Sequence, residues 1–309
     1  MKTTLNERFI MSLQRQITVA FALSICVLLA AHGEAAAQDR KDSGWYVSGG
    51  LGGNFAYGLD QSGSNTESTC YPTSACFDMV LRDIPGYRWR YDPSANRGIG
   101  FDLAVGRLFD RTRLEVSFAQ RKNKVDQGAP LEITYLDGSS AGASSFLSQG
   151  LVQAASTNFF EDLVTRTVTL NAYYDLPFGP SRITPYVGVG TGIAFVELTR
   201  IFFSIEYSDP SGEGTIYDPP LSFYNSKQDT RLSDMVFAGH VYAGTDYSLN
   251  DRAAVGLKAA YSRVDDVEHI GTYEYHPHFD TDPSLTNKNT FSATNHWSLT
   301  LNVRFLFGK

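Results

Sequence analysis

Four groups of residues have the types and spacing that chemistry uses. His296-x-Ser298 puts an imidazole two residues from a hydroxyl, the ingredients of a nucleophile and its base. His269, His276, His278, Asp280 and Asp282 crowd one segment, and His-x-His is a spacing that divalent metals accept. Gly188-Val-Gly190-Thr-Gly192 spaces its glycines as a phosphate-cradling loop does. Cys70 and Cys76 bracket five residues and offer either a disulfide or half of a metal site. Which chemistry survives depends on the elements that carry these residues.

The N-terminus has the form of an export signal. Lys2, Arg8 and Arg15 precede an apolar run over 17–31, and Ala35-Ala36-Ala37 follows as a small-residue cleavage site. The run is shorter than the roughly 18 residues a spanning helix needs. A bulky Ile25 beside Cys26 argues against lipid attachment. We expect a signal peptide over 1–37, cleaved after Ala37, and one mature domain over 38–309. Export places Cys70 and Cys76 where disulfides persist, and with no nearby His they make a poor zinc cage, so a Cys70–Cys76 disulfide is expected. Lys and Arg number 26 against 33 Asp and Glu, for a net charge of −7, so no basic patch exists to neutralise phosphates and nucleic acid is excluded as a partner.

The rest of the chain alternates every second residue, which is a strand period. In the last segment Trp297, Leu299, Leu301, Val303, Phe305 and Phe307 oppose His296, Ser298, Thr300, Asn302 and Arg304. The same pattern runs through segments near 45–58, 98–106, 113–119, 164–174, 186–195, 237–247 and 255–262, with Arg166 as the one charge on a bulky stripe. These are eight strands of bilayer-crossing length, joined alternately by short turns and by long connections at roughly 59–97, 122–161, 199–232 and 264–291. The fold class expected is all-β: an eight-stranded antiparallel transmembrane β-barrel with three short periplasmic turns and four long extracellular loops. A secreted sandwich or soluble barrel shares the alternation but would carry Lys and Glu outside. Here one stripe is Gly, Ser, Thr and Asn, while the other is bulky and ends in aromatics (Trp45, Phe109, Tyr174, Tyr247, Trp297, Phe307) where interfacial girdles sit.

Gly-Trp-Tyr-Val-Ser-Gly-Gly-Leu-Gly-Gly (44–53), Thr-Pro-Tyr-Val-Gly-Val-Gly-Thr-Gly (184–192) and Leu-Thr-Leu-Asn-Val-Arg-Phe-Leu-Phe (299–307) resemble the opacity-type, porin-like surface antigen family of small Gram-negative outer-membrane β-barrels. The resemblance covers the strands but not the long loops. It implies location in the cell outer membrane, outer-membrane lipid as a partner, and assembly by the barrel-assembly machinery through the aromatic ending, here Phe305 and Phe307 followed by Gly308 and Lys309.

Placed on strands, most of the opening chemistry recedes. Ile193-Ala194-Phe195-Val196 continues the strand after Gly192, so no helix start is present to complete a phosphate loop. With Trp297 outward, His296 and Ser298 face the lumen without a partner carboxylate. The His- and Asp-bearing segment reads equally as a polar loop. No catalytic, cofactor-binding or metal residue is assigned, and no cofactor is expected. Asp102, Arg113, Glu115, Asp246, Lys258 and Arg304 share the inward face and are expected to form a lumen charge network, because unpaired buried charge is costly. The function expected is that of a non-enzymatic surface protein whose barrel presents long loops, rich in aromatics such as Trp89, Tyr217 and Tyr275, to an extracellular or host ligand for adhesion or envelope contact. The alternatives are a narrow porin-like channel and an outer-membrane lipid-modifying hydrolase.

Overall fold

Period-two alternation closes here into a cylinder. The computed structural model describes residues 43–64, 67–69, 83–85, 87–91, 93–126, 132–135, 153–177, 182–209, 222, 225–272, 274, 286–292 and 294–307. The eight barrel strands are β1 (Gly44–Tyr57), β2 (Ser94–Phe109), β3 (Thr112–Asp126), β4 (Leu163–Asp175), β5 (Ile183–Ser208), β6 (Ser226–Ser248), β7 (Ala253–Val264) and β8 (Thr294–Phe307). Each pairs antiparallel with its neighbours in the chain, and β8 pairs with β1, so no barrel strand is left with a free edge in the membrane. The expected architecture is therefore present, with every sequence segment on its own strand.

The bulky stripe lies outside. Leu51, Ile99 and Leu301 are 69%, 72% and 60% exposed in the isolated chain, an apolar wall that only hydrocarbon can cover favourably. Trp45 pairs with Phe307 at the periplasmic end, and Phe109, Tyr174 and Tyr247 close the adjacent strands there. Trp297 belongs to the opposite girdle, where its ring meets Tyr261 at 5.0 Å and its register partner is Phe55.

Short polar segments make the periplasmic turns. Between β2 and β3 the turn is Asp110-Arg111, and Asp110 takes a φ of 55°, a conformation that Asp tolerates better than branched residues. Between β6 and β7 the Asn250 side chain accepts hydrogen bonds from the backbone N–H of Arg252 (2.8 Å) and Ala253 (2.9 Å), standing in for a backbone turn.

Glycine on the inward face has a packing role. Gly106 lies directly across from Tyr46, Gly188 from Tyr173, and Gly244 from Tyr186, and a Cβ at any of the three would collide with the facing ring. In a cylinder of eight strands the side chains must fill the lumen without overfilling it. Each tyrosine reaches the centre by lying across a glycine on the next strand.

The structure differs from expectation at the long connections, which are not simply loops. The strand Gln61–Ser64 continues β1, Tyr87–Tyr91 leads into β2, Glu132–Tyr135 continues β3, Val267–Thr272 continues β7, and Thr286–Phe291 leads into β8. They form a second antiparallel sheet in the same order as the barrel strands beneath them. Gly58, with a φ of 79°, stands at the bend between β1 and its continuation, and the Ser292 hydroxyl donates to the Gly58 carbonyl at 2.6 Å. The β5–β6 hairpin runs on above the bilayer and takes Gln153–Phe160 as a further strand. A bulge between Leu198 and Ile201 separates the two parts of β5. Short strand residues and unmarked bends hid the separate outer strands in the sequence, whereas the alternation of Ile201, Phe203, Ile205 and Tyr207 marks the extension of β5.

Candidate functional site

The lumen is stratified. At the periplasmic end Arg113 donates to Asp175 (2.6 Å) and Asp246 (3.1 Å), and Arg304 stands 3.2 Å from the same Asp246 oxygen. The Arg113 guanidinium also lies over the Tyr186 ring at 4.3 Å, and Tyr173 meets Tyr186 edge-on at 5.7 Å. Because one carboxylate serves two arginines, Asp246, which is 1% exposed, is the hub of this layer.

Above it Glu115 has no cation partner among the described residues. The hydroxyls of Tyr46 and Tyr173 donate to it at 3.1 Å each, and the Asn171 amide at 3.2 Å. Asn171 in turn donates to Ser117 (2.8 Å) and accepts from Tyr242 (3.1 Å). Lys258 pairs with Asp102 at 3.1 Å on the other side of the lumen. At the extracellular mouth inward positions turn apolar: Ala56, Leu59, Ala194, Val196, Leu198, Leu232, Ala238, Val264 and Phe291 belong to one buried cluster. The lumen thus passes from ions through neutral hydrogen bonds to a hydrophobic cap, and side chains occupy each level.

Of the six lumen charges read from the sequence, Arg113, Asp246 and Arg304 stand together, Asp102 and Lys258 form a separate pair, and Glu115 stands apart in a cage of neutral donors. Asp175 and Arg121 belong to the same interior and were missed. Both share parity with assigned neighbours, Asp175 with Tyr173 and Arg121 with Glu115, so extending the alternation by one step at each strand end finds them.

The bulky-face exception also has a physical reason. Arg166 lies at the extracellular boundary, where it donates to Glu197 (3.0 Å) and Gln120 (3.2 Å). Lys122 pairs with Asp162 at 2.7 Å and Arg231 with Glu197 at 3.4 Å. Higher up, Arg200 binds Asp229 through two nitrogens and covers the stacked rings of Phe159 and Phe202, 4.7 Å apart. This belt marks where the wall leaves hydrocarbon for headgroups and water.

His296 is fully buried in the lumen, Ser298 shares its face, and Trp297 between them points to lipid. Gly188, Gly190 and Gly192 lie within β5. His269 sits on Val267–Thr272 with Nε2 3.4 Å from the Thr230 hydroxyl, and burial holds its imidazole below its ordinary pKa while Asp234 acts in the opposite sense. His276, His278, Asp280, Asp282, Cys70, Cys76, the signal segment with Ala37, and the loop aromatics Tyr217 and Tyr275 lie outside the described residues. Among the described residues, no group of three or more His, Cys, Asp or Glu is placed to hold a metal ion. Phe305 and Phe307 close the outer row of β8.

A closed antiparallel cylinder with a lipid-facing apolar wall, aromatic girdles and a filled polar core defines an outer-membrane β-barrel protein. The family model for the outer membrane protein beta-barrel domain matches residues 23–305, and the chain belongs to that family and is located in the outer membrane. No curated protein matches the sequence. Among solved structures, the chain is similar to Neisserial surface protein A at 13% identity, covering 86% of this chain and 100% of that one, with a TM-score of 0.39. It is also similar to the outer membrane protease OmpT of Escherichia coli at 10% identity, covering 85% and 97%, with a TM-score of 0.38. The attachment invasion locus protein Ail of Yersinia pestis is 12% identical over 85% and 99%, with a TM-score of 0.31.

Proposed function

We propose that this protein is a sealed, non-enzymatic surface barrel whose working part is the wall it raises above the outer leaflet, used for adhesion or envelope contact. The observation that carries this reading is the filled lumen beneath an extended wall. A cylinder blocked by an ionic layer, a hydrogen-bonded layer and an apolar cap is suited to rigidity, and continuing the strands beyond the bilayer serves presentation. Lipid is the partner of its outer face, and the barrel-assembly machinery is the partner of its aromatic C-terminal strand. Burial of His296 within the barrel argues against a lipid-modifying hydrolase, since an acyl chain in the outer leaflet meets Trp297 and not the imidazole.

Two measurements test this reading. In planar bilayers the purified protein should give no discrete conductance steps; regular openings would replace the sealed barrel by a channel. Cells expressing the barrel with residues 199–231 exchanged for a tight turn should keep it folded in the outer membrane and lose surface binding. Unchanged attachment to extracellular matrix or host cells would remove the contact role.

A further inference from the structure

On the lipid-facing wall one charge stands among apolar residues. Arg107 lies on the outer row of β2 beyond Leu103 and Val105, in register with Trp45 on β1 and Leu114 on β3, and all of these are exposed. Phe109, two residues further along, closes the strand at the periplasmic end. Two residues of strand span roughly 7 Å, and less along the axis of a tilted barrel, so the Arg107 side chain starts inside the apolar band and reaches the headgroup level by its own length.

Two rings hold its guanidinium. The central carbon is 5.6 Å from the Trp45 ring centre and 4.9 Å from that of Phe109. Contact with ring faces leaves the charge in place, and the N–H donors, which lie in the guanidinium plane, remain free for a planar acceptor. Two other arginines touch two rings among the described residues, and each also binds a carboxylate: Arg113 touches Tyr173 and Tyr186 and pairs with Asp175 and Asp246, while Arg200 touches Phe159 and Phe202 and pairs with Asp229. Arg107 has the same aromatic setting and no carboxylate among the described residues.

The charge around it favours an anion. Outside the lumen, the described residues of the periplasmic end carry Arg107, Arg111, Arg182 and Arg252 against Asp110 and Asp251. Inside, Arg113 and Arg304 balance Asp175 and Asp246, so the lumen supplies no compensating negative charge. A phosphodiester presents two oxygens that match the guanidinium fork. When it belongs to a phospholipid, its acyl chains also cover the exposed Val105 and Leu114 beside the arginine. We propose that Arg107, clamped by Trp45 and Phe109, binds the phosphate of one phospholipid in the periplasmic leaflet. The site needs only the lipid-facing wall, so it stands or falls separately from the adhesion role.

Native mass spectrometry of the full chain, folded in nonionic detergent, tests this with two probes of equal chain length, dimyristoylphosphatidylglycerol and dimyristoylglycerol, which lacks the phosphate. The wild type should retain one phosphatidylglycerol and release the diacylglycerol. Arg107→Gln should lower that retention about tenfold, the factor expected for losing a charge-assisted hydrogen bond. Arg182→Gln, which removes an exposed cation from another turn of the same end, should retain the lipid as the wild type does. Should Arg107→Gln not fold, Phe109→Leu, which keeps the cation and removes one ring of the clamp, should lower retention by a smaller factor. Equal retention of the two probes, equal retention by Arg107→Gln or Phe109→Leu and the wild type, or an equal loss in Arg182→Gln overturns the proposal.

Discussion

Replacing Asp246 by Asn preserves shape and removes one charge from the hub of the periplasmic layer. The cost follows from what each arginine keeps. Arg113 retains Asp175 at 2.6 Å, whereas Asp246 is the sole ion-pair partner of Arg304 among the described residues. Removing one partner of a buried pair costs roughly 3–5 kcal/mol. The Arg304 side chain keeps 16% exposure and its contact with Asp246 is electrostatic, without a hydrogen bond from Nη1, so the lower end applies, about 3 kcal/mol. Asp175→Asn should cost about 1 kcal/mol, because Arg113 keeps the hub and the Asn oxygen still accepts. The assay is urea unfolding from phospholipid vesicles followed by tryptophan fluorescence, with mobility on unheated gels reporting closure of the barrel. Adding Arg304→Met to Asp246→Asn should recover part of the loss, the signature of a coupled pair. If Asp246→Asn unfolds within 1 kcal/mol of the wild type, or the two single variants rank in the opposite order, the hub assignment is wrong.

Three other outcomes are expected. Gly106→Ala, whose new methyl would strike the Tyr46 ring, should lose about 1–3 kcal/mol in the same titration, whereas Gly239→Ala, with nothing within 4 Å of the added atom, should stay within about 0.5 kcal/mol. Leu301→Arg, in the middle of the outer row of β8, should lose about 2–4 kcal/mol when the barrel inserts into vesicles and far less in a short-chain detergent that can reorganise around it. Above the membrane, hydrogen bonds from Arg200 hold the Asp229 carboxyl below its ordinary pKa. The contribution of this pair is therefore complete above the unfolded value of about 3.9 and fades as pH falls through the folded value, so carboxyl NMR should show Asp229 titrating low in the wild type and near its ordinary value in Arg200→Ala.

Strands were legible because a wall with oil on one side and a packed interior on the other forces period two, and Trp297 to Phe305 obeys it without exception. Arg166 broke the pattern only because the pattern says nothing about height along the strand. Ion pairing was less legible. Arg113 and Asp246 are 133 residues apart and meet across the lumen, a distance fixed by strand stagger and not by local sequence. Glu115 reads as an ion-pair member until Tyr46 and Tyr173, which the alternation assigns correctly to the interior, are seen to reach it over glycines. The outer strands were hidden for a different reason. Gln61–Ser64 is three polar residues and a glycine with no apolar face to report, held by pairing with Tyr87–Tyr91 and Thr286–Phe291.

The extra residue in β5 between Leu198 and Ile201 decides more than a kink. Below it even-numbered side chains look inward; above it Ile201, at 3% exposure, takes that direction and Phe202 turns out to stack on Phe159 beneath Arg200. Excising Thr199 would therefore act like a switch of handed gloves on the upper hairpin: greasy side chains meant for the cap would meet water, and the cation-topped ring pair would be driven into the mouth of the barrel. One backbone step thus lets a single ribbon satisfy lipid at one height and an aqueous exterior at the next.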